Sequence, residues 1–236
     1  MITKKWNWTN EIKEEELEEL NNILENDGVI IFPTDTVYGI GCNCYSEKAI
    51  EKIFEIKKRA KNKPIGILTD SVDKIKTVAK VSNKEEELIN KYMPGALTII
   101  LDKKEKTPDV LTSGLQTIGV RIPNDKIALK ILEKFQYPLA TTSANESGEE
   151  AGIEVEDFMN YFDGKVDAII DGIRLDYVSD SFGDTHHAAE GIDTLIDRLM
   201  TYPEVGVPLY GPLVNTVTRG ARLKKFYLRI KIICTL

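Results

Sequence analysis

The chain has 236 residues, of which 42% are hydrophobic, and its 38 acidic and 31 basic side chains give a net charge of −7. This size fits one large domain with its own core, and the acidic balance disfavours nonspecific attraction to nucleic acid. The sequence has neither an apolar run that would span a membrane nor a signal peptide. We therefore expect a cytoplasmic protein in which Cys42, Cys44 and Cys234 are free thiols. Because two histidines and this cysteine spacing suit zinc poorly, we expect no metal site in the protein itself.

Helix and strand patterns alternate along the chain, which predicts an α/β protein. The first elements are a helix over residues 11–26 that stops at Gly28, a strand over 29–32 that is buried on both faces, and a helix that begins at an N-cap, Ser46. The later predicted elements are strands at 65–68, 97–101, 118–122, 138–141 and 166–170, and helices at 71–80, 83–92, 125–135, 154–162 and 190–200. Alternating apolar residues over 226–232 predict a last strand.

A cluster of cations follows the helix that Ser46 begins. Lys57, Lys58, Arg59, Lys61 and Lys63 fall within seven residues that contain no acid. In an acidic protein such a cluster favours a compact polyanion such as a nucleoside triphosphate. The alternative is a solvated helix C-terminus, where the helix dipole favours cations. The cluster by itself leaves both interpretations open.

A polar loop at residues 33–39 comes directly after the buried strand 29–32. Its hydroxyls and the Asp35 carboxylate stand where α/β sheets bind polar ligands, at the carboxyl end of a strand. The alternative is a structural turn centred on Asp35 that ends at Gly39.

An arginine in the middle of the predicted strand 118–122 is unusual, because arginine is rarely buried without a partner. If Gly119 and Arg121 point to the same side, the strand offers a cation beside a space that a missing side chain keeps open. The alternative is an arginine on an edge strand that faces solvent.

Small hydroxyl residues, Asn145 and Gly148 follow the predicted strand 138–141. Such a loop presents backbone N–H groups and hydroxyls to phosphates, although the spacing of a Walker loop is absent. Ser143 has no base nearby in the sequence, which disfavours a hydrolase triad.

Five ordered segments resemble the YrdC/YciO-like family, which contains the threonylcarbamoyl-AMP synthases. They are FPTDTVYGIG (32–41), IKKRAKNKP (56–64), MPGALTIIL (93–101), TIGVRIP (117–123) and ATTSANESGEEAG (140–152). The resemblance implies a twisted mixed sheet with flanking helices and a deep basic cavity. It also implies a nucleotidyltransferase that forms threonylcarbamoyl-AMP and pyrophosphate from ATP, L-threonine and bicarbonate or CO2. Magnesium is expected with the ATP, and no organic prosthetic group.

The product in this family serves the threonylcarbamoyl modification of a tRNA adenosine, so tRNA and its modification machinery are expected partners. The KxR…SxN signature of the family falls on Lys57, Arg59, Ser143 and Asn145, the residues to which the resemblance gives the catalytic role. It also implies that Arg59 and Lys63 hold phosphates. Further implied contacts are those of Thr117 and Ser143 with the nucleotide and those of Thr36, Arg121 and Thr141 with threonine.

The chain departs from the family pattern at several places. Leu68 stands where many synthases carry a histidine, and Ala60 and Ala151 also differ from the usual residues. Residues 1–172 form the predicted catalytic domain, whereas 173–236 are an atypical segment predicted to complete or extend it. Only distant counterparts of the closing motifs occur there, at Ser181 and Arg219. Two alternatives therefore remain: a YciO-like protein that binds nucleotide or RNA without full synthase activity, and a family-shaped protein with an incomplete site.

Overall fold

The computed structural model describes residues 2–152 and 154–172 and the backbone of a strand at 231–234. The helices are α1 Glu14–Glu25, α2 Glu47–Ile56, α3 Val72–Val78, α4 Asn83–Tyr92, α5 Asp109–Thr112, α6 Lys126–Lys134 and α7 Val155–Phe162. The strands are β1 Lys4–Asn7, β2 Ile30–Phe32, β3 Gly39–Asn43, β4 Gly66–Leu68, β5 Leu97–Asp102, β6 Thr117–Arg121, β7 Leu139–Ser143, β8 Ala168–Asp171 and β9 Lys231–Cys234. No helix in these residues is long and apolar enough to cross a membrane.

The described strands form one mixed sheet in the order β1-β8-β2-β3-β7-β4-β6-β5-β9. Strands β1 and β2 run parallel to β8, and β4 runs parallel to β6. The remaining neighbours are antiparallel. The predicted α/β class with a mixed sheet is therefore confirmed.

The two faces of the sheet are covered unequally. One face packs against apolar residues of α2, α3, α4, α5 and α7. The other face packs against α1 and α6, through residues such as Leu20 and Ile131. Strand β2 contributes to both cores, because Ile31 points to the first face while Ile30 and Phe32 point to the second. This confirms the prediction of a strand buried on both sides. Part of the second face carries none of the described helices.

Local signals set the helix boundaries that the sequence predicted. The Ser46 hydroxyl accepts a hydrogen bond from the Ala49 amide at 3.0 Å, which confirms the predicted N-cap of α2. Helix α2 then ends in a Schellman motif, in which the Arg59 amide donates to the Phe54 carbonyl oxygen at 2.9 Å. Lys58 makes the turn with a left-handed backbone, φ 50°. The chain therefore reverses within the cationic cluster.

Three elements were not predicted from the sequence. Strand β1 has two lysines in four residues and lies at the sheet edge, β3 begins with Gly39-Ile40-Gly41, and α5 is a single turn. Lysine and glycine are poor strand formers, so pairing with neighbouring strands creates β1 and β3. Strand β9 overlaps the strand predicted at the C-terminus and pairs with β5.

Several predictions fall outside the described residues. They concern the helix at 190–200, the side chains of Ser181, Arg219 and Cys234, and the role of segment 173–236 in the domain. Cys42 and Cys44 are free and buried.

Candidate active site

The uncovered part of the second sheet face is built from small residues on five adjacent strands. Side chains alternate between faces along a strand, so the register defines which residues share a row. Gly41 and Gly66 both pair with Thr141, on its two sides, and Gly119 pairs with Ile100. This row of mostly small residues leaves a floor on which the sheet backbone is accessible.

Polar residues rise on both sides of that floor. On one side, Arg121 lies two residues beyond Gly119 in β6 and pairs with Leu68. On the other side, Ser143 lies two residues beyond Thr141 in β7, which runs in the opposite direction, and pairs with Gly39. The row of Arg121 and the row of Ser143 are therefore separated by the floor, each about 7 Å from it at the usual rise of a strand.

A cavity of about 400 Å³ occupies this space. Its described lining residues are Thr34, Thr36, Val37, Tyr38, Gly39, Arg59, Pro64, Ile65, Gly66, Ile67, Leu68, Thr98, Ile100, Gly119, Arg121, Thr141, Thr142 and Ser143. The charged members of this set are Arg59 and Arg121, with no acid among them. The lining is therefore cationic, apolar at its floor, and rich in hydroxyl groups.

Arg121 is buried and held by three different partners. Its Nε donates to the Gly95 carbonyl oxygen at 2.8 Å, one Nη donates to Thr36 Oγ1 at 3.2 Å, and the other lies 2.5 Å from Asp35 Oδ1. This ion pair excludes the edge-strand interpretation of Arg121, because the arginine side chain is only 6% exposed. Burial raises the pKa of Asp125, and the negative charge of Asp35 adds to that rise. The guanidinium is thus buried beside one carboxylate, that of Asp35.

The cations of the cluster separate into different environments after the turn at Lys58. Arg59 lines the cavity. Its guanidinium is held in place by hydrogen bonds that it donates to the carbonyl oxygens of Lys63 at 3.2 Å and Pro64 at 3.0 Å. Lys58 and Lys61 are exposed and form ion pairs with Glu146 and Glu51. The exposed lysines fit the interpretation of a solvated helix end, and Arg59 is the member of the cluster that lines the cavity. The binding of a polyanion by this cluster stays a prediction.

Lys57 is buried and organises the loop that follows β7. Its ammonium donates to the carbonyl oxygens of Ser143 and Asn145, the latter at 2.6 Å, and to Asn145 Oδ1 at 3.2 Å. The Ser143 hydroxyl donates to the same Oδ1 at 2.6 Å. Asn145 Nδ2 donates to the carbonyl oxygen of Glu149 at 2.7 Å. Lys57, Ser143 and Asn145 therefore form one network that fixes the loop from behind.

The structure brings most of the predicted site residues together, in different roles. Thr36, Arg59, Arg121, Thr141 and Ser143 line the cavity. Their contacts with threonine or nucleotide remain predictions.

Four predicted residues do not line the cavity. Lys57 and Asn145 take part in the hydrogen-bond network of the loop, and their catalytic role stays a prediction. Lys63 is exposed, and Thr117 begins β6 on the strand face that carries Arg121. The contacts predicted for Lys63 and Thr117 remain predictions.

The protonation of Lys57 should make stability depend on pH. Burial, and then repulsion from Arg59, lowers the pKa of Lys57 from its ordinary 10.5 to about 7. Between pH 7 and 8 the unfolded chain therefore binds a proton that the folded chain lacks. The free energy of unfolding should rise with pH, by at most about 1.4 kcal/mol per unit from this group. Urea denaturation at several pH values measures the slope.

The Lys57→Met variant is the control for this slope and should lack the Lys57 contribution. The pH window ends at 8 because burial also raises the pKa of the Cys42 and Cys44 thiols, which lowers stability in more alkaline solution. Equal slopes in the two proteins would contradict the prediction.

Asp35 and Gly66 contribute to the site but were not among the predicted site residues. Asp35 was part of a candidate polar loop, but its pairing with Arg121 was not foreseen. The signal for this pairing is that a buried arginine needs an acidic partner. Gly66 was also omitted, and no sequence signal separates it from an ordinary strand glycine.

Known proteins share sequence and fold with this chain. A family model, Sua5/YciO/YrdC with the description "Telomere recombination", matches residues 22–182. The threonylcarbamoyl-AMP synthase of Pyrococcus abyssi is 41% identical over 145 residues, which are 61% of this chain and 43% of that protein.

Two solved structures share the fold. A crystal structure of P. abyssi Sua5 complexed with L-threonine is 36% identical with a TM-score of 0.70, over 72% of this chain and 50% of that one. The structure of Escherichia coli YciO is 26% identical with a TM-score of 0.66, over 74% of this chain and 85% of that one. The chain thus spans about half the length of the P. abyssi proteins that it matches.

Proposed function

The chain belongs to the Sua5/YciO/YrdC family, and on this premise we propose that it forms threonylcarbamoyl-AMP from ATP, L-threonine and bicarbonate or CO2. One observation carries the proposal: two arginines from separate parts of the chain line a single cavity on opposite sides of a glycine floor. Arg121 suits the threonine carboxylate, because a guanidinium binds planar anions in a forked geometry. Arg59 suits the phosphates of ATP for the same reason.

The proposed reaction has two steps. The neutral amine of threonine reacts with bicarbonate to give a carbamate and water. A carbamate oxygen then forms a bond to the α-phosphorus of ATP, while the bond from that phosphorus to the bridging oxygen breaks and pyrophosphate leaves with the electron pair. The protein contributes by holding both reactants and by stabilising charge at the α-phosphate, which needs no covalent intermediate with an enzyme side chain.

The proposal includes magnesium bound to ATP. No group of three or more His, Cys, Asp or Glu side chains within the described part of the chain forms a metal site. Asp35, the carboxylate beside the cavity, is already paired with Arg121. The described residues therefore do not fit a cage built by the protein, and magnesium would arrive on phosphate oxygens and water, its usual ligands. No step above depends on it.

The use of the product in tRNA modification, and with it contact with tRNA and a cytoplasmic location, belongs to the same proposal. Pyrophosphate release is the direct test. We expect release that requires both threonine and bicarbonate, with calorimetric binding of ATP and of threonine. Absence of threonine-dependent release would refute the synthase activity.

A second candidate is a YciO-like protein that binds nucleotide or RNA without full synthase activity. The likeness to E. coli YciO and the leucine at position 68 in the cavity wall favour it. It predicts RNA affinity that falls steeply as salt concentration rises, together with no pyrophosphate release. Measurement of both quantities on the same preparation separates the two candidates.

A further inference from the structure

Gly66 and Gly119 form the accessible part of the cavity floor. Both are partly exposed, whereas the next residues along their strands, Ile67 and Val120, point to the other face and are buried. Glycine inside a strand weakens it and often marks a place where a ligand approaches the backbone closely. A glycine at either position is therefore explained by close packing of the protein or by a ligand that lies against the backbone.

The cavity glycines differ in what a side chain would meet. A Cβ would lie 2.9 Å from Thr141 Cγ2 on Gly39, 3.0 Å from Thr141 Oγ1 on Gly41 and 3.1 Å from Thr98 Cγ2 on Gly119, so packing against neighbouring side chains accounts for these three glycines. Among the described residues, a Cβ on Gly66 would meet nothing closer than the Gly119 carbonyl oxygen at 3.6 Å. The described residues therefore leave room for a methyl group at Gly66, and that methyl group would stand in the cavity.

Gly66 also lies midway between the two arginines along β4. Arg59 donates to the carbonyl oxygen of Pro64, two residues before Gly66. Arg121 pairs with Leu68, two residues after it. Along β4, the path between these two arginine contacts passes Gly66.

We infer that Gly66 is a positioning residue, and that the planar carbamoyl group between threonine and the α-phosphate lies flat against the sheet at this residue. The inference rests on the proposed function and specifies which part of the reactants lies on the floor. A carbamoyl group is flat because of the same resonance that makes a peptide bond planar. A side chain at Gly66 would lift this group away from the backbone and misalign the carbamate oxygen with the α-phosphorus.

The test is the Gly66→Ala variant of the full chain, assayed for pyrophosphate release and for binding of threonine alone and of ATP alone. We expect kcat to fall about tenfold or more while each single-ligand affinity changes by less than about twofold, the pattern of an interaction made only in the transition state. The Gly119→Ala variant, whose Cβ meets side-chain ends of Thr98 and Ile100 at 3.1 and 3.3 Å, is a second probe of the floor.

Val120→Ile is the matched control, because it adds one carbon on the opposite face of β6, away from the cavity. It should retain kcat even if its melting temperature changes. Unchanged kcat in Gly66→Ala, with an active wild-type protein, would overturn this inference and leave the proposed function intact. Loss of binding of ATP alone or of threonine alone would also overturn it, because the floor would then lie under that ligand. A wild-type protein without threonine-dependent release would refute the proposed function, and the inference with it.

Discussion

Replacement of Arg121 by alanine is expected to lower the affinity for threonine about a thousandfold, because truncation of a buried, hydrogen-bonded charge commonly costs about 4 kcal/mol. The guanidinium is buried, and no other charged group in the described lining stands at that end of the floor. ATP affinity should be nearly unchanged, since Arg59 lies on the other side. Isothermal titration with each ligand separately measures both quantities.

The variant also leaves Asp35 without its cation, and an unpaired buried charge destabilises the fold by itself. Two further proteins separate this effect from ligand binding. Arg121→Lys keeps the charge and should recover stability, but not the forked contact with a carboxylate. The double variant Asp35→Asn with Arg121→Met removes both charges and should be more stable than Arg121→Ala while binding threonine no better. Equal loss of both ligands in Arg121→Ala would contradict the separation of the two ends.

Replacement of Arg59 by alanine should weaken ATP binding about a hundredfold, since one charge-assisted contact is worth about 3 kcal/mol. Two of its N–H groups are hydrogen-bonded to the carbonyl oxygens of Lys63 and Pro64, which aims the guanidinium. Threonine affinity should remain close to that of the wild-type protein. Titration with ATP in the absence of threonine gives the cleanest measurement.

Lys58→Ala is the matched control for Arg59→Ala. It removes one positive charge from the neighbouring residue, but Lys58 is exposed, forms an ion pair with Glu146 at 2.6 Å and is not part of the cavity lining. It should bind ATP almost as well as the wild-type protein. If both variants lose the same amount of affinity for ATP, the overall positive charge of the cluster binds the nucleotide, and the position of Arg59 has no special importance.

Much of the fold could be predicted because its signals are local. The spacing of apolar residues predicted α2 and α6, and the N-cap Ser46 predicted where α2 begins. The continuous apolar segment before Pro33 predicted β2. Strand β3 could not be found in this way, because its glycines have no strand preference. It exists through pairing with β2, the strand just before it, and with β7, which is about a hundred residues away in the sequence.

The site was predictable where a residue is anomalous in its own segment. Arg121 in an apolar strand is such a case, and its position next to a glycine of the same face was foreseen. The roles of Lys57 and Asp35 were not, because they depend on partners about ninety residues away. In the sequence, Lys57 looks like a solvated member of the cationic cluster. In the structure it is buried, and the chain turns at the next residue, Lys58. The charge pattern alone could not distinguish Lys57 from Lys58.

Strand register fixes the spacing of the rows that line the cavity. Arg121 and Ser143 stand on either side of the floor because the strand pleat repeats every two residues, so the backbone sets the distance between these two rows. A shift of β6 by one residue would turn Gly119 and Arg121 to the opposite face of the sheet. The hydrogen-bond pairing of β6 with β4 and β5 thus keeps this arginine on the cavity side.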